Sequence, residues 1–303
     1  MDERIAIVSD LHLGRQRWCA PSAAAIRPLW QGMTHLIVNG DCAEMHHPRH
    51  RERAAEEVLR LHDLCREDGV TLLLLSGNHD PHISGVRHLH LANGRVFVTH
   101  GDAIHRAVAP WSPAAGAMRA AREAALADVA APTRNRLESI LDATRHAALA
   151  ELALLERESS HSSLRAMLMR PWTIAQVAWY WHVFPRLAGE FAHEHAPRAG
   201  VFLFGHTHHR GVWRVDGRTI VNTGSFGFPG KPYVAVVEGD AVRIHDAPWR
   251  EDRYERGALV ESLPLPSVDC PPSAASPAAA TGTAQPPAAS TRLGSVRPSA
   301  AAR

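Results

Sequence analysis

The chain is nearly devoid of lysine: Lys231 is the only one among its 33 lysine and arginine residues. Positive charge is carried by arginines spread along the sequence, and the formal net charge with neutral histidine is only +2. That gives no overall electrostatic signal for nucleic acid. Cysteine is scarce as well. Cys19, Cys42, Cys65 and Cys270 form no CxxC pair and no regular framework. Cys42, beside an apolar run, and Cys65, on a helical pattern, read as small core residues, which favours a reducing compartment. No uninterrupted apolar stretch reaches the roughly 18 residues of a spanning helix. The opening MDERIAIVSD enters a strand at once, without a signal-peptide layout. These absences lead us to expect a soluble cytoplasmic protein, of 303 residues in one large domain or two small ones.

Short apolar runs and histidine are what the chain does have. RIAIVS (4–9), HLIVN (35–39) and VTLLLLS (70–76) are rich in Ile, Val and Leu, and each ends in a polar turn: DLHLG, GDCAE and GNHDP. Between the second and third runs, Ala54, Val58, Leu61, His62 and Cys65 recur at helical spacing. Strand, helix, strand predicts parallel buried strands, whose ligands bind beyond the carboxyl ends. Residues 86–91 and 95–99 flank Asn93-Gly94, a hairpin signal, and the second run ends in THGD. Later, AGVFLF (199–204) leads into GHTHH; 211–215 and 219–222 flank Asp216-Gly217, and 233–237 and 241–245 flank Gly239-Asp240.

The interval 103–198 reads differently, as a helical insertion. Leu137, Ile140, Leu141, Thr144, Ala148, Leu152 and Leu155 make 133–157 an amphipathic helix, and 116–129 is helical too. The segment WTIAQVAWYWHVF (172–184) is apolar almost all round, between Pro171 and Pro185. It is either a buried helix or a lid presenting Trp172, Trp179, Tyr180 and Trp181 to an apolar substrate or a membrane surface. The domain is expected to span 1–250. The remainder, 251–303, reads as a Pro/Ala-rich disordered tail, almost wholly Pro, Ala, Ser and Thr from about 264.

The strand-end turns belong together. They hold Asp10 and His12, Gly40-Asp41, Gly77-Asn78-His79-Asp80, His100-Gly-Asp102, and Gly205-His206-Thr-His208. Each is weak alone, but in this order they form a set of carboxylate and imidazole ligands suited to Mn, Fe or Zn. This run of DxH, GD, GNHD, H and GHxH resembles the calcineurin-like metallophosphoesterase superfamily, over roughly residues 4–246. The resemblance implies a four-layer α/β/β/α sandwich and two divalent metal ions, manganese before iron or zinc. It further implies that Asp10, His12, Asp41 and His208 hold one ion, while Asp41 bridges to a second, completed by Asn78, His100 and His206. Two cations about 3.5–4 Å apart can present a bridging hydroxide for in-line attack and neutralise phosphate oxygens. His79 is then the residue that stabilises the transition state or protonates the leaving oxygen. Asp80 is expected to fix its tautomer, or else to cap the turn. Arg15, Arg17, His209 and Arg210 lie beside the motifs, where they could bind a substrate phosphate or stay solvated. Asn222-Thr-Gly-Ser225 resembles a family turn that packs against the site.

The spacing and the HGD triplet look like the branch containing UDP-2,3-diacylglucosamine hydrolases, which cleave a pyrophosphate and hold acyl chains with a helical insertion. That branch usually has arginine where this chain has His79. The expected partner is a phosphorylated small molecule or a lipid-linked nucleotide, with peripheral membrane contact through 172–184, at the inner face. A nuclease would want a basic groove. A non-catalytic scaffold would show broken ligands, and none is broken.

Overall fold

The computed structural model describes residues 3–15, 17–45, 47–157, 171–227 and 230–265. Two sheets lie at its centre. In the first, β1 (Arg4–Val8), β2 (His35–Asn39) and β3 (Thr71–Leu75) pair in parallel. β9 (Tyr233–Glu238) joins β1 antiparallel, followed outward by β10 (Ala241–Asp246) and β13 (Leu259–Pro264). The second sheet has β5 (Val96–Thr99), β6 (Val201–Phe204) and β8 (Arg218–Asn222) in parallel. Its edges are the antiparallel β4 (His88–Leu91) and β7 (Gly211–Val215). A short hairpin, β11 (Trp249–Arg250) with β12 (Arg253–Tyr254), stands apart from both. All three expected hairpins form. At the β7–β8 turn Asp216 and Gly217 both adopt positive φ (48° and 76°), the backbone that matches strand twist.

Strand side chains alternate between faces, so each sheet must be covered twice. Ala6, Val8, Leu36 and Val38 pack against α1 (Ala23–Ile26) and α2 (Pro48–Glu67) through Ile26, Leu61, Leu64 and Cys65. The alternate residues Ile5, Ile7 and Ile37 meet Val98, Leu203 and Val221 of the second sheet. On that sheet's far side Phe97, Phe202, Phe204 and Ile220 pack on Leu141 of α4 (Leu137–Arg157) and on Tyr180, Phe184 and Ala188 of α5 (Pro171–His195). α3 (Ala115–Ala127) lies against α4, with Met118 beside Val108 and Ala147. The layers therefore run helix, sheet, sheet, helix, as expected, and Cys42 and Cys65 are buried.

Two boundaries differ from the sequence reading. Pro185 does not end the last helix: it lies inside α5, which continues to His195. A proline inside a helix costs about 3 kcal/mol, whereas burying Phe184, Ala188 and Phe191 around it gives up to ~1.5–3 kcal/mol for each large side chain. Burial wins. Moreover, Thr173, Tyr180, Phe184, Ala188 and Phe191 are buried while Ile174 and Trp179 are 54% and 60% exposed. The helix is thus neither wholly buried nor wholly a lid. The second difference is the expected tail from 251. β12 and β13 are strands, and β13 pairs with β10 at the sheet edge. Only Leu263 of that strand is buried in the core, so its pattern is faint. Most of the expected tail, 266–303, lies outside the described residues.

Candidate dinuclear metal centre

β1, β2 and β3 of one sheet and β5 and β6 of the other end at the same place. The loops after β1 and β2 run side by side, with His12 N–H donating to Asp41 O (2.9 Å) and Leu13 N–H to Cys42 O (2.9 Å). Five of the expected ligands hold left-handed backbone: Asp10 (φ 53°), His12 (48°), Asp41 (50°), His206 (65°) and His208 (59°). Such a conformation costs a non-glycine residue roughly 1–2 kcal/mol. Its concentration in these loops shows that tight geometry, not local preference, sets them. The motif glycines have a matching reason. A Cβ on Gly77 would lie 2.2 Å from Asp41 Oδ1, and one on Gly205 would lie 2.1 Å from Asp10 Oδ2.

All seven side chains converge. His12 Nε2 and His208 Nε2 are 3.1 Å apart, and His208 Nε2 is 3.3 Å from Asp10 Oδ1. His100 Nε2 lies 3.3 Å from both Asp41 Oδ2 and Asn78 Oδ1, and His206 Nδ1 lies 2.9 Å from the same Asn78 oxygen. Asp41 Oδ2 stands between the two groups, 3.8 Å from His12 Nε2. It is buried and without a hydrogen-bond partner among the described residues.

The outer ring nitrogens settle what the inner ones can do. His100 Nδ1 is 3.0 Å from Asn39 O, and His206 Nε2 is 3.0 Å from Val108 O. Carbonyls only accept, so those nitrogens carry the hydrogens and the inner nitrogens of the neutral rings present lone pairs. Burial holds His206 down at about 4, so it does not gain a second proton at neutral pH. Its lone pair therefore faces the Asn78 oxygen, acceptor against acceptor. Burial opposes charge on His100 too, but the Asp41 carboxylate outweighs it and pushes that ring up to about 10. A cation would relieve the facing acceptors of His206 and Asn78, and at His100 it would take the place of the Nε2 proton that the Asp41 carboxylate otherwise holds. The residues present fit a divalent metal, and Asp10–His12–His208 and Asp10–Asp41–His100 each bring three donors within 4.8 Å of one another.

Asp80 does not orient His79. Its carboxylate accepts from the backbone N–H of Gly77 (2.8 Å), Asp41 (3.2 Å) and Ala43 (3.1 Å), which ties the β2 and β3 loops together. Burial and the nearby Asp41 push it up to about 7. The partner of His79 is Glu44, a residue the sequence reading passed over inside GDCAE. His79 Nδ1 lies 2.8 Å from Glu44 Oε1. Glu44 Oε2 lies 3.5 Å from His12 Nδ1 and 3.2 Å from Arg15 Nε. Burial disfavours a charged His79, but the Glu44 and Asp41 carboxylates outweigh it and hold the ring at about 10. The signal was position: a carboxylate three residues after Asp41 shares its loop.

The expected phosphate contacts separate. Arg15 reaches the centre through Glu44. Arg210 is drawn away, with Nη1 2.6 Å from Asp246 and its guanidinium over the Tyr233 ring. His209 stacks on Trp181 at 4.7 Å, and Trp181 in turn donates its indole N–H to Thr207 O (2.8 Å). Arg17 is exposed. Asp102 accepts from Arg87 Nη2 at 2.6 Å in a buried pair. The Asn222–Ser225 turn packs on the site as expected: Asn222 Nδ2 donates to Gly205 O (2.9 Å), and Ser225 Oγ to Asp10 O (3.2 Å).

No protein-family model matches the sequence, and no curated protein matches it either. Among solved structures, the chain is similar to a conserved uncharacterised protein (predicted phosphoesterase) from Streptococcus pneumoniae TIGR4. The identity is 12%, with 87% of this chain and 98% of that one covered at a TM-score of 0.37. Vacuolar protein sorting 29 from Cryptosporidium parvum gives 12%, 87%, 98% and 0.40. The cold-active protein-tyrosine phosphatase of a psychrophilic Shewanella gives 12%, 87%, 81% and 0.38.

Proposed function

We propose that the chain is a metal-dependent hydrolase of phosphoester or pyrophosphate bonds, a metallophosphoesterase of the calcineurin-like kind. The observation that supports this most is the meeting of two donor sets at the unpartnered oxygen of Asp41. Asp10, His12, Asp41 and His208 would hold one divalent ion, and Asp41, Asn78, His100 and His206 another, with manganese the first expectation. Such ions, when bound, supply positive charge for phosphoryl oxygens and acidify a water. The chain's own residues do the rest. His79 is tied at Nδ1 to Glu44 and has a side chain 29% exposed, so unlike the buried His12 and His100 it reaches the open side of the centre. With Nδ1 held by the Glu44 carboxylate, the protonated ring can donate to a developing oxyanion or protonate a leaving oxygen.

The test is turnover of bis(p-nitrophenyl) phosphate and p-nitrophenyl phosphate by metal-stripped protein, before and after reloading with manganese, iron or zinc. We expect restoration by at least 100-fold with one of these metals. Activity indifferent to stripping would sink the reading. A scaffold that has lost its chemistry is the other reading, and the intact donor set argues against it.

For substrate, we infer a small phosphomonoester or phosphodiester first, with a lipid-linked nucleotide as the alternative. The support for the alternative is α5, where exposed Ile174 lies two turns before Trp181 on the same side of the helix, and Trp181 is bonded to the loop between His206 and His208. The same face would make any peripheral membrane contact. His79, where the lipid-cleaving branch has arginine, argues the other way. Ile174→Ser is expected to lower kcat/KM for a diacylated UDP-sugar about 10-fold, as lost burial of one large apolar side chain implies. Turnover of bis(p-nitrophenyl) phosphate should stay within about twofold. Equal losses, or none, would return α5 to a purely structural role.

A further inference from the structure

Arg122 of α3 is an arginine out of place. It is only 8% exposed, yet among the described residues it has no hydrogen-bond or ion-pair partner, and its Nε is buried without one. Its Nη atoms are not among the buried unpartnered ones, so the end of the guanidinium reaches solvent, and holding the rest of it out of water without a counter-charge is unfavourable. The groups around it do not neutralise it. Arg106 and Asp102 lie within electrostatic reach, but Asp102 already holds Arg87 at 2.6 Å. Glu123, the other carboxylate in reach, is exposed and faces Arg119 at 3.8 Å. Arg106 is exposed and His105 half-buried, so the cluster opens to solvent on their side. With Arg87 and Asp102 cancelling, two positive charges remain.

Other polar atoms nearby are also unsatisfied. Tyr180 Oη and Asp102 Oδ1 are buried without partners among the described residues. The cluster adjoins the metal centre. His105 meets Tyr180 ring to ring at 5.5 Å, Tyr180 meets Trp111 at 5.0 Å, and Trp111 meets His206 at 6.0 Å. Val108, strained at φ 56°, gives its carbonyl to His206 and packs beside Met118, one turn before Arg122. A desolvated arginine beside a donor hydroxyl, here Tyr180 Oη, suits an oxyanion, while the Asp102 carboxylate, an acceptor held by Arg87, takes no part in binding it.

We propose that Arg122, with Arg106, His105 and Tyr180, forms an anion site on the insertion, beside the metal centre, for a phosphoryl or other tetrahedral oxyanion group. The group is either free or carried by the substrate, away from the bond to be cleaved; the second case rests on the phosphoesterase reading, the site itself does not.

The experiment is thermal melting of the full metal-loaded chain in sodium sulfate against sodium chloride of equal ionic strength. The wild type is expected to gain about 3 °C at ten times the sulfate Kd, Arg122→Lys to keep part of the gain, and Arg122→Met to lose it. Comparing variants cancels the general stabilisation by sulfate. Without sulfate, Arg122→Met should melt no lower than wild type, because it removes an uncompensated charge. No gain in the wild type, an equal gain in Arg122→Met, or a variant that melts far lower or does not fold, would each overturn the site. A kinetic arm then separates the two sources. Thymidine 5′-(p-nitrophenyl phosphate), with and without a 3′-phosphate, has the same scissile bond. If the group is carried by substrate, the 3′-phosphate raises kcat/KM about 10-fold in wild type and not in Arg122→Met. Equal rates in both proteins, with the sulfate response intact, assign the site to a free oxyanion. Should neither compound turn over, and the two p-nitrophenyl phosphates above fail as well, the phosphoesterase reading falls while the melting result still decides the site.

Discussion

Asp41→Ala is expected to remove metal and turnover together. The variant should bind at most one ion per chain, and kcat/KM should fall at least 1,000-fold, the scale for losing a pair of catalytic cations. The reason is the position of one atom. Asp41 Oδ2 is the oxygen within reach of both donor sets, 3.3 Å from His100 Nε2 and 3.8 Å from His12 Nε2, and it is buried without a hydrogen-bond partner among the described residues. Removing it leaves imidazoles with no shared anion between them. Metal added to the wild type should raise its melting temperature by mass action, and that rise should shrink or vanish in the variant. Calorimetry, metal analysis and kinetics on one preparation check all three. Two ions still bound per chain would refute the bridging role, even if activity were lost.

Much of this centre was legible because its proposed ligands sit directly after strands whose apolar runs are unmistakable. Val8, Asn39, Leu75, Thr99 and Phe204 end their strands, and each is followed within three residues by a motif residue. Glu44 was not legible. Its role depends on two loops folding side by side, so that a carboxylate three residues past Asp41 meets rings from β1 and β3 at once. Asp80 misled for the same reason: adjacency to His79 in sequence suggested contact, but successive side chains in a tight turn diverge, and its carboxylate caps three amides instead. Arg210 shows that a basic residue next to a motif is no evidence of ligand contact when Asp246 and Tyr233 stand closer. Strand β13 was hidden because an edge strand buries one side chain rather than an alternating row.

Glu44 and His79 are expected to behave as one unit. At saturating metal, His79→Ala should lower kcat about 100- to 10,000-fold, the range for a lost general acid, with both ions retained. Glu44→Gln should cost about 10- to 100-fold. An amide has one acceptor where the carboxylate has two. With its oxygen kept on His79 Nδ1, its NH2 would face Arg15 Nε and His12 Nδ1, which sit 3.2 Å and 3.5 Å from the present Oε2. Metal affinity at His12 should therefore weaken as well, by about 10-fold, which is why the comparison needs excess metal. If Glu44 acts on turnover through His79, the double variant should be no worse than His79→Ala alone within about threefold. Multiplying losses would mean that Glu44 works chiefly on the ligand His12. Loss of an ion in His79→Ala would instead make His79 a ligand, and the group His12, Glu44 and His79, which also brings three donors within 4.8 Å, would become the site to examine with metal titrations.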